Sequence, residues 1–406
     1  MKKALDGIRV IELARHISGP YCGMLLAGLG AEVIKIEAPG TGDISRRCGP
    51  FPDDIPHVDH SGLYHYLNRS KKSVTLDIGT AAGRDILLEL IADADLLIED
   101  FHPKEAAYLG LDYPQLKAAK ATLLVASITP FGQNGPYRDY KAYAINASAL
   151  GGMSTIVGEP RREPLTPPFS LGNYQTGVIA SNAVFSALMA GRNTQQGQHI
   201  DISEAESWAV FHTGNVVSAF IYSGRKRTRT GHRTFAPYPY TLLPCKDGYV
   251  SMIALRGSEW KRFLEIVGEG EVPEWYASDE RFKDRLKAGI EYAGILDNLL
   301  SPWLMAHTRE EIFNRCREKH VPFTPVRNMD EVVNCHHLNQ RRFFDTIAYG
   351  DTKTYKCPGA PVRFSKSAWD LDNAAPSLAQ HNHLVYCDQL GFSEEKLLRL
   401  SRAGVV

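Results

Sequence analysis

The sequence predicts an α/β chain, with a parallel sheet covered by helices on both faces and a smaller α+β domain attached. Short β-rich apolar runs alternate with helix-like segments through the first half of the chain, the pattern of strands joined by crossover helices. Beyond about residue 220 this gives way to hairpin-like strands followed by amphipathic helices. The 406 residues, 44% hydrophobic and 23% charged, are enough for two globular domains of ordinary soluble composition.

Residues 8–13 are a β-rich run, Gly19-Pro20 is a turn signal, 21–29 read as a helix of small residues and 31–37 as a second strand, together a βαβ unit. Pro39-Gly40-Thr41-Gly42-Asp43 follows, a glycine loop placed where doubly wound sheets bind ligands. It lacks the G-x-G-x-x-G spacing, which argues against a nicotinamide dinucleotide. A strand at 73–78 leads into a helix capped by Thr80, with Ile86/Leu90 and Leu87/Ile91 on one face. Strands are expected at 96–100 and 122–129, a buried helix at 178–189, a strand at 198–203 and an apolar helix at 204–220.

Arg225-Lys226-Arg227-Thr228-Arg229 and Gly231-His232-Arg233 have two readings, a grip on phosphate or RNA and a solvated crossing between domains. The second is favoured because Lys+Arg and Asp+Glu both total 46. Strands at 238–243 and 249–253, divided by Lys246-Asp247-Gly248, precede helices at 258–267 and 290–305; residues 322–347 lead back, and 393–400 form a last short helix. The expected division is residues 1–220 with 325–406 as the large domain and 221–324 as linker and small domain.

The charge balance provides no field for nucleic acid or an anionic membrane, so neither partner is expected. No segment has the length and apolarity of a membrane span, and the N-terminus lacks the apolar core of a signal peptide. The seven cysteines are scattered without a Cys-x-x-Cys, which points to reduced thiols and the cytoplasm. Asp53, Asp54, His57, Asp59 and His60 share one loop, and Cys335-His336-His337 another, but neither has the spacing of a standard metal site. No metal is expected.

Leu171-Gly172-Asn173-Tyr174-Gln175-Thr176-Gly177 sits between the extended Pro164-Leu165-Thr166-Pro167-Pro168 and the helix at 178–189. Asn173 therefore lies near a helix N-terminus, where free N–H groups and the helix dipole favour negative charge. The chain places an uncharged side chain there.

In order and spacing, Leu5-Asp6-Gly7-Ile8-Arg9-Val10, Gly19-Pro20, residues 29–37 with Pro39-Gly40-x-Gly42-Asp43, Asn68-Arg69, Phe131-Gly132-Gln133-x-Gly135-Pro136, Gly172-x-Tyr174-x-Thr176-Gly177, Gly197-Gln198 and Ala403-Gly404-Val405-Val406 resemble the class III coenzyme A transferases over nearly the whole chain. The resemblance implies a Rossmann-like large domain built from both chain ends, a small α+β domain and an interlocked dimer. It also implies coenzyme A or an acyl-CoA as substrate, with no covalently bound cofactor. In that family an aspartate follows the glycine of the Gly-x-Tyr motif and attacks the acyl-CoA thioester. Here that position is Asn173, which has no anionic oxygen.

Other departures point the same way: Ala38 and Tyr108 stand where family members often carry arginine, and Ile17 where some carry a polar residue. No glycine-rich active-site loop is evident at 253–258. Within the family the chain resembles the aspartate-lacking subunit of succinyl-CoA:(R)-benzylsuccinate CoA-transferases of anaerobic toluene degradation. The resemblance implies a heteromer whose paralogous partner carries the aspartate. Ser18, Leu76, Asp77, Phe101 and His102 are the candidate coenzyme A contacts, with Tyr140 and Lys141 toward substrate. His102 also reads as a surface-loop histidine, and the tyrosine-rich loop as a domain edge. The alternatives are a homodimeric transferase whose aspartate has been changed to Asn173, and a non-enzymatic CoA-ester-binding protein. A racemase would need an acid–base pair, and Tyr143 and Asn173 occupy those positions.

Overall fold

The computed structural model describes residues 3–168, 170–211, 213–234, 236–349, 353–369, 371 and 373–406. They form two compact units, one of Met1–Ser154, Thr166–Lys226 and Asn339–Val406, the other of Thr155–Leu165 and Arg227–Leu338. The boundaries expected after residues 220 and 324 shift to Lys226 and Leu338, and the excursion 155–165 joins the smaller unit. Local bonding explains both differences. Gly231 N–H donates to Gly158 O and Arg229 Nε to Glu159 O, while Arg309 reaches Glu331 at 2.7 Å.

The large unit is built on six parallel strands: β1 (Arg9–Glu12), β2 (Glu32–Glu37), β3 (Lys72–Thr75), β4 (Leu96–Glu99), β5 (Leu124–Thr129) and β6 (His199–Ser203). Their order is β3-β2-β1-β4-β5-β6, so the direction of winding reverses between β1 and β4. Alternate strand residues serve opposite faces. Ile11, Ile34, Leu97 and Val125 pack with the helix Ala81–Ala92 and the C-terminal Tyr386 and Val405. Val10, Val33, Ile98 and Ala126 pack with the helices Ser18–Gly28 and Leu171–Thr194.

Several elements differ from the sequence reading for identifiable reasons. Gly19 and Pro20 lie inside the first turn of Ser18–Gly28, where proline loses no intrahelical bond. β3 ends at Thr75 because Asp77 N–H turns to Val405 O at 2.7 Å. The expected helix 204–220 divides into Glu204–Phe211 and Gly214–Ser223, with residue 212 outside the described residues. The returning segment contains an antiparallel hairpin, Phe344–Tyr349 with Lys353–Pro358, whose mixed polar sequence has no clear alternation. Thr80 caps its helix as expected, accepting from Gly83 N–H at 3.0 Å.

In the small unit, Tyr240–Cys245, Gly248–Ile253 and Thr324–Pro325 form an antiparallel sheet. Trp260, Phe263, Phe282, Leu300 and Phe323 fill its core against the helices Gly257–Val267 and Ala293–Ala306. No helix among the described residues is long and apolar enough to cross a membrane.

A buried ionic network lies beneath β1, β2 and β3. The Lys35 ammonium contacts Glu12 at 3.0 Å, Asp43 at 2.7 Å and the Ala14 carbonyl at 2.9 Å. Lys71 donates to both Glu12 oxygens, at 2.9 and 2.8 Å, and to Pro20 O and Asn68. Arg46 grips Glu37 bidentately at 2.7 and 2.8 Å and lies 3.6 Å over the Tyr64 ring. Burial alone would raise the Asp43 pKa, but Lys35 outweighs it and holds the group at about 2. Burial, only partly offset by Glu12, lowers Lys71 to about 8.

Arg46→Ala leaves Glu37 buried without its bidentate partner. The expected loss is about 3–5 kcal/mol of unfolding free energy, with Arg46→Lys recovering only part because an ammonium cannot span both oxygens. Denaturant unfolding at neutral pH checks this; a loss below about 1 kcal/mol would show that Glu37 does not depend on Arg46.

Candidate functional site

Two clefts open at the C-terminal edge of the sheet, where the winding reverses and ligands of such folds gather. The first, of about 380 Å³, is lined by Arg15–Ser18 after β1, Asp100 after β4, Ile128 and Pro130 at the end of β5, Ala142–Ile145, Ser170, Asn173 and Glu204. The second, of about 390 Å³, is lined by Leu13 and Arg15, Ile36–Pro39, Gly42, Asp43, Leu76–Ile78, Phe101 and Gly404.

Asn173 is the third residue of Leu171–Thr194, and each neighbour fixes its direction. A Cβ on Gly172 would lie 2.2 Å from the Trp208 ring, and one on Gly177 would lie 2.7 Å from Ser18 O, so both positions require glycine for close approach. Tyr174 packs edge-on against Tyr21 at 5.1 Å, and Gln175 Nε2 donates to Ser207 O at 2.6 Å. The Asn173 side chain is left pointing into the first cleft at 7% exposure.

Its Nδ2 donates to Ser18 Oγ at 3.0 Å and to Glu204 Oε1 at 2.7 Å. Ser18 Oγ–H donates to the same Glu204 oxygen at 2.6 Å. Asn173 Oδ1 is buried and accepts from no described protein donor. Three separate elements thus converge: the helix Ser18–Gly28 through its first residue, the long helix through Asn173, and the residue after β6 through Glu204. An amide nitrogen whose lone pair is delocalised and whose hydrogens are committed to two oxygens is a donor, not a nucleophile. The acid that meets Asn173 is Glu204, which sequence reasoning placed only as the start of an apolar helix. The available signal was an acid directly after a strand, at the ligand-binding edge of a parallel sheet.

Ser18 and Asn173 come together in the first cleft, while Leu76, Asp77 and Phe101 gather in the second cleft beside Ala38. His102 lines neither cleft and caps the helix Pro103–Tyr108, its Nδ1 accepting from Lys104 N–H at 3.3 Å. Tyr140 and Lys141 are exposed outside both clefts, Tyr140 leaning on Tyr137 at 5.2 Å; Ala142 and Tyr143 take the lining position instead. Ile17 lines the first cleft, and Tyr108 is 79% exposed. Arg15, which sequence reasoning did not single out, borders both clefts. Its guanidinium lies 4.4 Å over the Phe101 ring, with Nε 3.2 Å from Asp100 Oδ1.

Burial pushes Asp100 up to about 6 against the opposing charge of Arg15, and pushes Glu99 up to about 7 despite hydrogen bonds from Ser127 and Phe101 N–H. Asp59 of the loop after Cys48 is committed to Arg46 at 2.8 Å, and His57 accepts from Asp59 N–H. Among the described residues no group of three or more His, Cys, Asp and Glu is arranged to hold a metal.

Residues 5–382 match CoA-transferase family III, and the chain belongs to that family. It is 31% identical over 406 residues to the alpha subunit of succinyl-CoA–L-malate CoA-transferase from Chloroflexus aurantiacus, covering 99% of this chain and 92% of the relative. It is 30% identical over 413 residues to BbsE, a subunit of succinyl-CoA:(R)-benzylsuccinate CoA-transferase from Thauera aromatica, with 98% of both chains covered. The crystal structure of a CAIB/BAIF family protein from Brucella suis superposes with a TM-score of 0.85 at 30% identity, covering 96% of this chain and 100% of that one. The chain is a CoA-transferase by family, with an amide where the resemblance places the covalent carboxylate.

The raised Glu99 pKa has a defined sign. The folded state holds this proton more tightly than the unfolded chain, so the group favours folding at low pH. That contribution is lost as pH rises from about 4.5 to about 7. Glu99→Gln is expected to flatten the loss of stability over this window, measured as unfolding midpoints at intervals of pH; an unchanged slope would show that Glu99 is not its source.

Proposed function

We propose that this chain is the non-nucleophilic subunit of a heteromeric CoA-transferase that moves CoA between succinyl-CoA and an organic acid. The observation that carries this is the Asn173 amide, held in the first cleft as a donor to Ser18 and Glu204. CoA exchange in this family requires a carboxylate. It attacks the thioester carbonyl, a C–O bond forms, and the C–S bond breaks to release CoA thiolate. The thiolate then returns to the aspartyl carbonyl and displaces the acid. A paralogous partner, interlocked with this chain, supplies that aspartate. The names of two relatives, each a subunit using succinyl-CoA, support the heteromer and the donor.

For the acceptor we favour (R)-benzylsuccinate or an acid like it. Ile17, Ile128 and Ile145 give the first cleft apolar surface, and the exposed Tyr143 borders it, a lining suited to an acid with an aromatic arm. Coenzyme A enters as substrate along the second cleft, where Arg15 and Phe101 offer a charge and a stacking face. We assign the complex to the cytoplasm, in keeping with seven free thiols, and to no nucleic-acid or membrane partner. The fit of the Asn173 amide against Glu204 disfavours a homodimer that differs by one replacement, since an ionised aspartate has no hydrogen to donate there.

The test is CoA exchange from succinyl-CoA to candidate acids, with the chain alone and co-purified with its paralogue from the native source. Exchange is expected only in the pair. Full turnover by the chain alone would overturn the assignment. CoA-ester binding without exchange in the pair would make it a binding protein.

A further inference from the structure

Resting on the reading of a non-nucleophilic subunit, we infer that Glu204 is a second determinant of that role: a positioning residue that keeps position 173 a hydrogen-bond donor and excludes a carboxylate from it. Glu204 is 9% exposed, opens the helix after β6 and directs Oε1 to a point 2.7 Å from Asn173 Nδ2 and 2.6 Å from Ser18 Oγ. Both donors converge on one oxygen, as suits a charged acceptor. A carboxylate at position 173 would bring an acceptor against that acceptor. Two carboxyl groups at such a separation cannot both ionise; they share a proton and titrate as a pair. The proton is then held in the contact, and the carboxyl at position 173 is a poor nucleophile.

The same geometry states what would reverse the role. Exchanging the groups, with the acid at 173 and the amide at 204, preserves one donor and one acceptor across the 2.7 Å contact and reverses its direction. Ser18 Oγ, 3.0 Å from the Asn173 side chain, is then free to donate to the new carboxylate. That carboxylate can attack succinyl-CoA at the thioester carbonyl, forming a C–O bond while the C–S bond breaks and CoA thiolate leaves. The thiolate attacks the aspartyl carbonyl of the mixed anhydride, and succinate leaves. No oxidant or further reactant is needed.

The experiment incubates the full-length chain with succinyl-CoA and traps activated carboxyls with hydroxylamine, locating the hydroxamate by peptide mass spectrometry. The parent and Glu204→Gln are expected to show none at position 173. Asn173→Asp alone is expected to show little, and Asn173→Asp with Glu204→Gln at least about tenfold more than Asn173→Asp alone when labelled at a pH where the paired carboxyls still share their proton, since below its pKa a group loses about tenfold in ionised fraction per pKa unit. Asn173→Asp with Glu204→Met removes the acid by a second route and is expected to exceed the single variant as well. Equal labelling in Asn173→Asp and the exchanged pair would overturn the role of Glu204. So would exchanged chains that fold, by thermal unfolding, yet take no label, or a failure of both double variants to fold. A hydroxamate on Glu204 in the parent chain is a different result: it would overturn the non-nucleophilic reading itself.

Discussion

The contact on which the rest of the large unit depends is the Lys35 ammonium between Glu12 and Asp43. All three groups are almost wholly withdrawn from water, so none can lose its partners without leaving a buried charge. Such a network is weak evidence for extra stability, because desolvation offsets much of the attraction. It is strong evidence for position, because only one arrangement satisfies every member. Lys71 extends the network to Asn68 and the Pro20 carbonyl. Gly23 extends the constraint to packing: a Cβ there would fall 1.8 Å from Glu12, so the helix Ser18–Gly28 lies directly on the charged layer.

From this layer the path to the cleft is short. Asp43, held by Lys35, accepts the His16 N–H at 3.1 Å, and Lys35 fixes the preceding turn by donating to Ala14 O. The β1 loop is therefore fixed on both sides just before Ser18. Ser18 then sets where the donors of the site meet, and Glu204 accepts from both Ser18 and Asn173. The position of the amide in the cleft is thus determined by buried charge on one side of the sheet edge and by tight helix contact at Gly172 and Gly177 on the other.

What was legible in the sequence were features written locally. The first βαβ unit, the Thr80 cap, the turn at Lys246-Asp247 and the nearness of Asn173 to a helix start all follow from short-range rules. Features that depend on a remote partner were not. Gly19-Pro20 reads as a turn until the helix is seen to begin at Ser18. β3 loses its last residues to the C-terminal tail, and the hairpin 344–358 carries too little apolar alternation to announce itself. In the site, Ser18 and Asn173 were recognised, but Glu204 lies 31 residues beyond Asn173 and 186 beyond Ser18, and only the folded sheet brings them together. His102 and Tyr140 sit near the right strand ends or loops, yet one is used as a cap and the other leans on Tyr137.

An amide where the family resemblance expects a carboxylate is usually read from that residue alone, and here one residue is too narrow a description. Replacing a carboxylate by an amide changes a pair of acceptors into one donor and one acceptor, and the surroundings must answer both. Glu204 and Ser18 answer the donor, which is why the amide is well held. Nothing in the described protein answers Oδ1, and Asn173 lines the first cleft. The site therefore accommodates Asn173 on the side of Glu204, and Oδ1 has no donor among the described residues. Without the acid at 204 the amide would keep only the Ser18 hydroxyl as an acceptor. The satisfied half ties positions 173 and 204 into one hydrogen-bonded arrangement, so the chemistry of the cleft has to be read from the pair and not from position 173 alone.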